Sequence, residues 1–223
     1  MLEHAADIKP DIVIATGDIA QYPAFEVYQR FKQLLAEAFN CPLLCIPGNH
    51  DLDQPMLRAG LAERKTTIGN WTLLGIDTHL DDEVSGFFCE QRLLDLQRQF
   101  DKDGAANILV FGHHSPVDLD CMWLDRHRIN NGASLLEILQ GDGRVRSYLF
   151  GHVHQEAEFF EGLSLLSCPS TCFQFARNAE DFTLSSELPG YRVLRLQADG
   201  KIQSKVFRLL DYELSLDLSQ LQF

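Results

Sequence analysis

Apolar positions along this chain follow three rhythms. In the first, β-branched and apolar residues run together and stop at a glycine: 11-DIVIATGD-18, 42-PLLCIPGNHD-51, 106-ANILVFGHH-114 and 146-RSYLFGHVH-154. Short continuous runs bounded by turn residues predict buried strands that end in polar loops. The run 71-WTLLGID-77 predicts another strand. In the second rhythm, apolar residues return at helical spacing. Phe25, Tyr28, Phe31, Leu35 and Phe39 mark one face of a helix over 24–39, and 90–100 and 133–140 read the same way. The third rhythm is alternation, in 156-EAEFFEGLSLLSC-168 and 191-YRVLRLQADGKIQSKVFRL-209. Asp199-Gly200 sits at the centre of the second stretch as a hairpin turn. The tail 211-DYELSLDLSQLQF-223 alternates only weakly.

Helices therefore alternate with strands early, and antiparallel strands dominate late. That order predicts an α/β sandwich of mixed sheets with helices outside. At 223 residues and 45% hydrophobic content, with no repeat or linker-like tract, the chain reads as a single domain over 1–223. Open α/β sheets place their sites at the carboxyl ends of strands. The four glycine-ended loops are thus expected to converge.

Charge narrows what such a site handles. The net charge is −13, and lysines and arginines form no cluster, so a nucleic-acid-binding face is not expected. An acidic protein repels anionic substrates, and a bound metal cluster is one way to supply local positive charge. No run of eighteen apolar residues predicts a membrane span. The opening MLEHAADIKP lacks the basic start and apolar core of a secretory signal. Six scattered cysteines lack the paired spacing of zinc sites and read as free thiols of a reducing, cytoplasmic compartment.

The loops carry metal-ligand chemistry: Gly17-Asp18, Gly48-Asn49-His50-Asp51, Gly112-His113-His114 and Gly151-His152-Val153-His154. Imidazole, carboxylate and amide oxygen suit manganese, iron and zinc. Singly, a Gly-Asp is usually a turn and a His-x-His is usually a surface pair. All four, each at a strand end, are hard to explain as turns. Asp77-Thr78-His79, within 74-LGIDTHLDD-82, is a further Asp-x-His triplet of metal-binding type.

The order Gly-Asp, Gly-Asn-His-Asp, His, Gly-His-x-His resembles the calcineurin-like metallophosphoesterases, over nearly the whole chain. The segments 121-CMWLDRHRINNG-132 and 167-SCPSTCFQF-175 resemble one branch, the bacterial class III 3′,5′-cyclic AMP phosphodiesterases. The resemblance implies an αββα sandwich, two mixed sheets flanked by helices. It also implies two ions about 3.5–4 Å apart that clamp a phosphodiester and hold a bridging hydroxide as nucleophile. Carried over, Asp18 bridges both ions, Asn49, His113 and His152 complete the second, and His154 ligates the first. His113 is taken as the ligand of the His113-His114 pair because the family uses the first histidine. His50 binds no metal and serves the leaving 3′-oxygen or the transition state. The implied cofactors are two ions of iron, manganese or zinc, and the implied substrate is a cyclic nucleotide.

The family opens with an Asp-x-His at the end of its first strand, and no such motif precedes Gly17. The first strand is thus expected to be missing from this N-terminally truncated chain, leaving the first ion incompletely held. Asp77-Thr78-His79 stands in the wrong order to replace it. In the relatives that strand ends in Asp-Ser or Asp-Thr, so His79 is read as fortuitous. Substrate choice is expected to lie in 118–132 and 168–178. The 121–132 segment, with Trp123, Arg126 and Arg128, suits a homodimer contact and packing on its own core equally well.

Overall fold

The computed structural model describes residues 1–213 and 215, so most of the weakly alternating tail lies outside the described residues. The first half comprises α1 (Leu2–Ala6), β1 (Val13–Ala15), α2 (Phe25–Ala38), β2 (Leu43–Cys45), α3 (Asp53–Ala59), β3 (Lys65–Ile68), β4 (Trp71–Gly75) and α4 (Glu90–Lys102). The second comprises β5 (Asn107–Gly112), α5 (Met122–Asp125), α6 (Gly132–Gly141), β6 (Val145–Phe150), β7 (Glu158–Phe160) and β8 (Ser164–Ser167). Two hairpin pairs close it: β9 (Gln174–Phe175) with β10 (Leu184–Ser185), and β11 (Gly190–Leu196) with β12 (Ile202–Arg208).

Six strands form one mixed sheet in the order β3-β4-β5-β6-β8-β7, with β4, β5, β6 and β8 parallel. Successive side chains on a strand face opposite ways, and here both faces are buried. Ile108, Val110, Tyr148, Phe150 and Leu165 point into one core, where Leu96 and Phe100 of α4 and Leu135 and Leu139 of α6 meet them. Their neighbours Leu109, Phe111, Leu149 and Leu166 point into a second core with Leu44 and Ile46, against which Ile14, Leu194, Leu196 and Ile202 pack. This explains why these strands read as unbroken apolar runs rather than alternating ones.

The second layer is built from pairs: β1 parallel to β2, and the antiparallel β11–β12 hairpin. Its far side is sealed by Tyr28 of α2 and Met56 of α3, packed with Leu61 around Cys45 and Ala20. The resulting order is helix, sheet, sheet, helix. α5 belongs to the core-facing part of 121–132. The Asp125 carboxylate accepts the backbone N–H groups of Leu119 (2.6 Å) and Cys121 (3.0 Å), and Leu124 and Ile129 are fully buried.

Candidate metal centre

Four parallel strands, two from each layer, deliver the site. Asp18 follows β1, Asn49 and His50 follow β2, His113 and His114 follow β5, and His152 and His154 follow β6. At the site a hydrogen bond links the layers: the His113 Nδ1–H donates to the Thr16 carbonyl at 2.6 Å. A carbonyl only accepts, so the proton of the neutral ring sits on Nδ1 and Nε2 keeps its lone pair. That Nε2 faces Asp18 Oδ2 and Asn49 Oδ1, both at 3.2 Å. Three lone-pair atoms thus point at one another, an arrangement that calls for a positive charge between them.

The two later histidines pose the same demand. His152 Nε2 and His154 Nδ1 are buried, and each lacks a hydrogen-bond partner. Buried polar atoms are otherwise nearly always paired. The residues present therefore fit a bound metal, the group for which such nitrogens are ordinarily kept free. Asp18, His152 and His154 also all take positive φ, at 53°, 63° and 45°. Left-handed backbone in non-glycine residues costs energy and concentrates at functional sites. Here it turns three donors inward from loops that would otherwise run past.

Electrostatics follow from the packing. Burial raises the Asp18 pKa, but when no ion is bound a protonated His113 facing it, with His152 and His50 behind, outweighs this and holds it far below the usual carboxylate range. His113 is the mirror case: burial disfavours its charge, and Asp18 overrides that and raises its pKa. With no such carboxylate contact, desolvation and neighbouring imidazoles push His152 well below the ordinary histidine value and His154 to about 4. These two rings are neutral at pH 7, the form that binds metal.

Asp51, the fourth residue of the Gly-Asn-His-Asp loop, points away from the centre. Its carboxylate accepts from the backbone of Gly48 (2.9 Å), Ile19 (3.1 Å) and Ala20 (3.3 Å) and from the Tyr28 hydroxyl (3.0 Å). It thereby ties the loop after β1 to the loop after β2. At Gly48 a Cβ would overlap the Asp18 carboxylate and lie 2.7 Å from His113 Cε1, so only glycine fits. His50 donates its backbone N–H to Asp18 Oδ1 at 3.1 Å, while its ring stands at the rim 3.4 Å from the Gln21 side-chain amide.

Aromatic rings back the other side. His154 stacks on Phe175 with centroids 4.5 Å apart and an angle of 9°, and Phe175 meets Trp123 edge-on at 4.7 Å. His127 lies between Trp123 (5.9 Å) and His152 (6.3 Å). The structural roles of Asp51, His127 and Phe175 were not visible in the sequence. The only signal was their place in segments already singled out, at 48–51, 121–132 and 167–175.

The structure brings together Asp18, Asn49, His113, His152 and His154 and places His50 beside them. The Asp77 carboxylate is engaged elsewhere: it pairs with Arg64 at 3.1 Å and accepts the His79 backbone N–H at 3.0 Å. The ring nitrogens of His113, His114 and His152 lie within 4.8 Å of one another, close enough for one ion. Both nitrogens of His114 are committed elsewhere, however, to Thr78 Oγ1 at 2.7 Å and the Val84 carbonyl at 3.1 Å.

Comparison with known proteins points the same way. The calcineurin-like phosphoesterase family model matches residues 1–156. The chain is 37% identical over 224 residues to a 3′,5′-cyclic adenosine monophosphate phosphodiesterase of Pseudomonas aeruginosa, covering 97% of this chain and 82% of that protein. It is 35% identical over 209 residues to the Escherichia coli K12 protein of the same name, covering 90% and 75%. Among solved structures, a dimetal phosphatase of Danio rerio superposes with a TM-score of 0.58 at 12% identity, over 75% of each chain. A purple acid phosphatase of yellow lupin gives 0.60 at 12% identity, over 96% of this chain and 47% of that one. At that identity the two structures speak for the fold alone.

Proposed function

Because this chain belongs to the calcineurin-like phosphoesterase family, we propose that it hydrolyses 3′,5′-cyclic AMP to 5′-AMP at the centre where β1, β2, β5 and β6 end. It is a metallophosphoesterase, a metal-dependent hydrolase of phosphodiesters. The finer reading of cyclic AMP is supported by the two bacterial relatives whose names carry that substrate and which align over most of their length. The observation that carries the site is the convergence of Asp18 Oδ2, Asn49 Oδ1 and His113 Nε2, beside the unpartnered nitrogens of His152 and His154. In this reading those five residues hold two ions of manganese, iron or zinc. What such a pair of ions supplies is neutralisation of phosphoryl charge and a nucleophile at neutral pH.

The chain's own residues do the rest. Asp18 would be the carboxylate that serves both ions, and its pKa is held far below the usual carboxylate range, so it offers them an ionised group at neutral pH. His50 hydrogen-bonds the leaving oxygen and stabilises its developing charge in the transition state. The Gln21 amide donates to its Nδ1, so the neutral ring carries its hydrogen on Nε2, free to reach a substrate. The segments 118–132 and 168–178 set substrate choice from the aromatic side. No helix of the described residues is long and apolar enough to cross a membrane, and the substrate is a small molecule.

Two measurements test this. Metal-loaded protein is assayed on cyclic AMP, 2′,3′-cyclic nucleotides and p-nitrophenyl phosphoesters, with cyclic AMP expected to give the highest kcat/KM. Preference for a monoester would overturn the substrate. His50→Ala is expected to lower kcat by about 100-fold or more while metal per chain is unchanged. Loss of metal in that variant would make His50 a ligand instead.

A further inference from the structure

His114 is as deeply buried as any residue in the molecule, and it lies in the middle of the histidine cluster. The assignment of ligands gives it no task. Its ring meets the rings of both candidate ligands that flank it, His113 at 4.7 Å and 86° and His152 at 4.9 Å and 50°. Its own nitrogens, though within 4.8 Å of those of its neighbours, are both already bonded. The Val84 carbonyl, 3.1 Å from Nε2, can only accept, so Nε2 carries the proton. Nδ1 must then accept, and the fully buried Thr78 hydroxyl donates to it at 2.7 Å. The same Thr78 oxygen lies 3.4 Å from the His114 backbone N–H, and the His114 carbonyl accepts from the Tyr148 hydroxyl at 3.1 Å. Ring, N–H and carbonyl are all fixed, and no lone pair is left for an ion.

The elements that fix it are themselves braced. Thr78 accepts the Phe87 backbone N–H on its carbonyl at 3.0 Å. Gly86 is locked to the 121–132 segment by bonds to the Arg128 carbonyl (3.1 Å) and from the Asn130 N–H (2.8 Å). A Cβ at Gly86 would stand 2.7 Å from His114 Nδ1, so glycine lets this loop close over the ring. The loop after β4, whose triplet looked like a metal site, thus touches the centre through its middle residue.

We propose that Thr78 and His114 act as a positioning pair: Thr78 holds the His114 ring as a non-ligating wedge that sets the angle between His113 and His152. This rests on the reading of His113 and His152 as ligands. Groups that orient ligands in this way are typically worth about 10–100-fold in metal affinity.

The test is calorimetric titration of the metal-free full chain with Mn²⁺, for wild type, Thr78→Val, Thr78→Ser and His114→Gln, alongside thermal melts without metal. Thr78→Val and His114→Gln are expected to bind the same number of ions as wild type with about 10–100-fold lower affinity. Thr78→Ser keeps the hydroxyl and is expected within about threefold of wild type. Loss of an ion in His114→Gln would make His114 a ligand and overturn the proposal. So would wild-type affinity in Thr78→Val, or equal melting losses in Thr78→Val and Thr78→Ser with no change in affinity. If wild type itself binds no Mn²⁺, it is the ligand assignment that fails. The His114 tautomer is still read by 15N NMR on metal-free wild type, which needs no variant to fold. A proton on Nε2 and none on Nδ1 is expected, and the opposite tautomer overturns the pair.

Discussion

At the ends of β1 and β2, the donors Asp18 and Asn49 sit on loops bound by hydrogen bonds that converge on Asp51. At the ends of β5 and β6, the donors are imidazoles held by other rings: Phe175 against His154, and His114 between His113 and His152. Desolvation is offset in the first half by a charge facing Asp18, and in the second by keeping the rings neutral. A carboxylate accepting four bonds has few acceptable positions, whereas stacked rings can slide. The hydrogen-bonded half should therefore fail abruptly and the ring-packed half by degrees.

The largest effect should come from Asp51→Ala. It strands three backbone N–H groups and the Tyr28 hydroxyl, and each buried unpaired group costs about 1–3 kcal/mol. A loss of about 4 kcal/mol in urea unfolding of the metal-free protein is expected. A loss under about 1 kcal/mol would mean the two loops are held by something other than this carboxylate. Acid should act next, and on the ring-packed half. The pKa of His154 is about 4 in the folded chain and about 6.5 when unfolded. Between those values the unfolded state binds protons the folded state refuses. Stability is therefore full above pH about 6.5 and falls as pH drops towards about 4, by roughly 3 kcal/mol for this residue. His113 runs the other way, since its raised pKa favours folding at low pH and that benefit fades as pH rises. Urea midpoints from pH 7 to 4.5 measure the net slope, and His154→Phe should flatten it; an unchanged slope would clear His154. The smallest effect is expected for Phe175→Leu, which keeps an apolar contact but removes the stack, at about 1–2 kcal/mol. If it matches Asp51→Ala, the two halves do not differ in kind.

The elements that make the layers were legible in the chain because their burial is one-dimensional. The helices at 24–39, 90–100 and 133–140 appear as α2, α4 and α6, and Asp199-Gly200 turns the β11–β12 hairpin. The four glycine-ended loops do meet. α3 and β3 carry no legible rhythm because 53–59 and 65–68 are short and largely unburied, with Met56 the buried residue of that helix. What the pattern could not show is which way a loop residue faces. Asp51 looks like a ligand by its company and turns from the centre, while Thr78 looks idle and braces a histidine inside it. Those roles depend on residues 23 to 36 positions apart in the chain meeting in space, Tyr28 with Asp51 and Thr78 with His114.

The alternation of β1 and β2 carries one more consequence. Leu44 and Ile46 face the core between the sheets, while Cys45 and Ala20 lie in the one under the helices, so each strand is addressed from both sides. A slip of one residue along β1 or β2 would swap these addresses wholesale and shift Asp18 or Asn49 by about 3.3 Å. A functional constellation tolerates an error of only about 0.5 Å. Placement of the donors is therefore digital: the two cores act as a parity check on the register, and a chain that passes it has its oxygen donors at the right distance before any ion arrives.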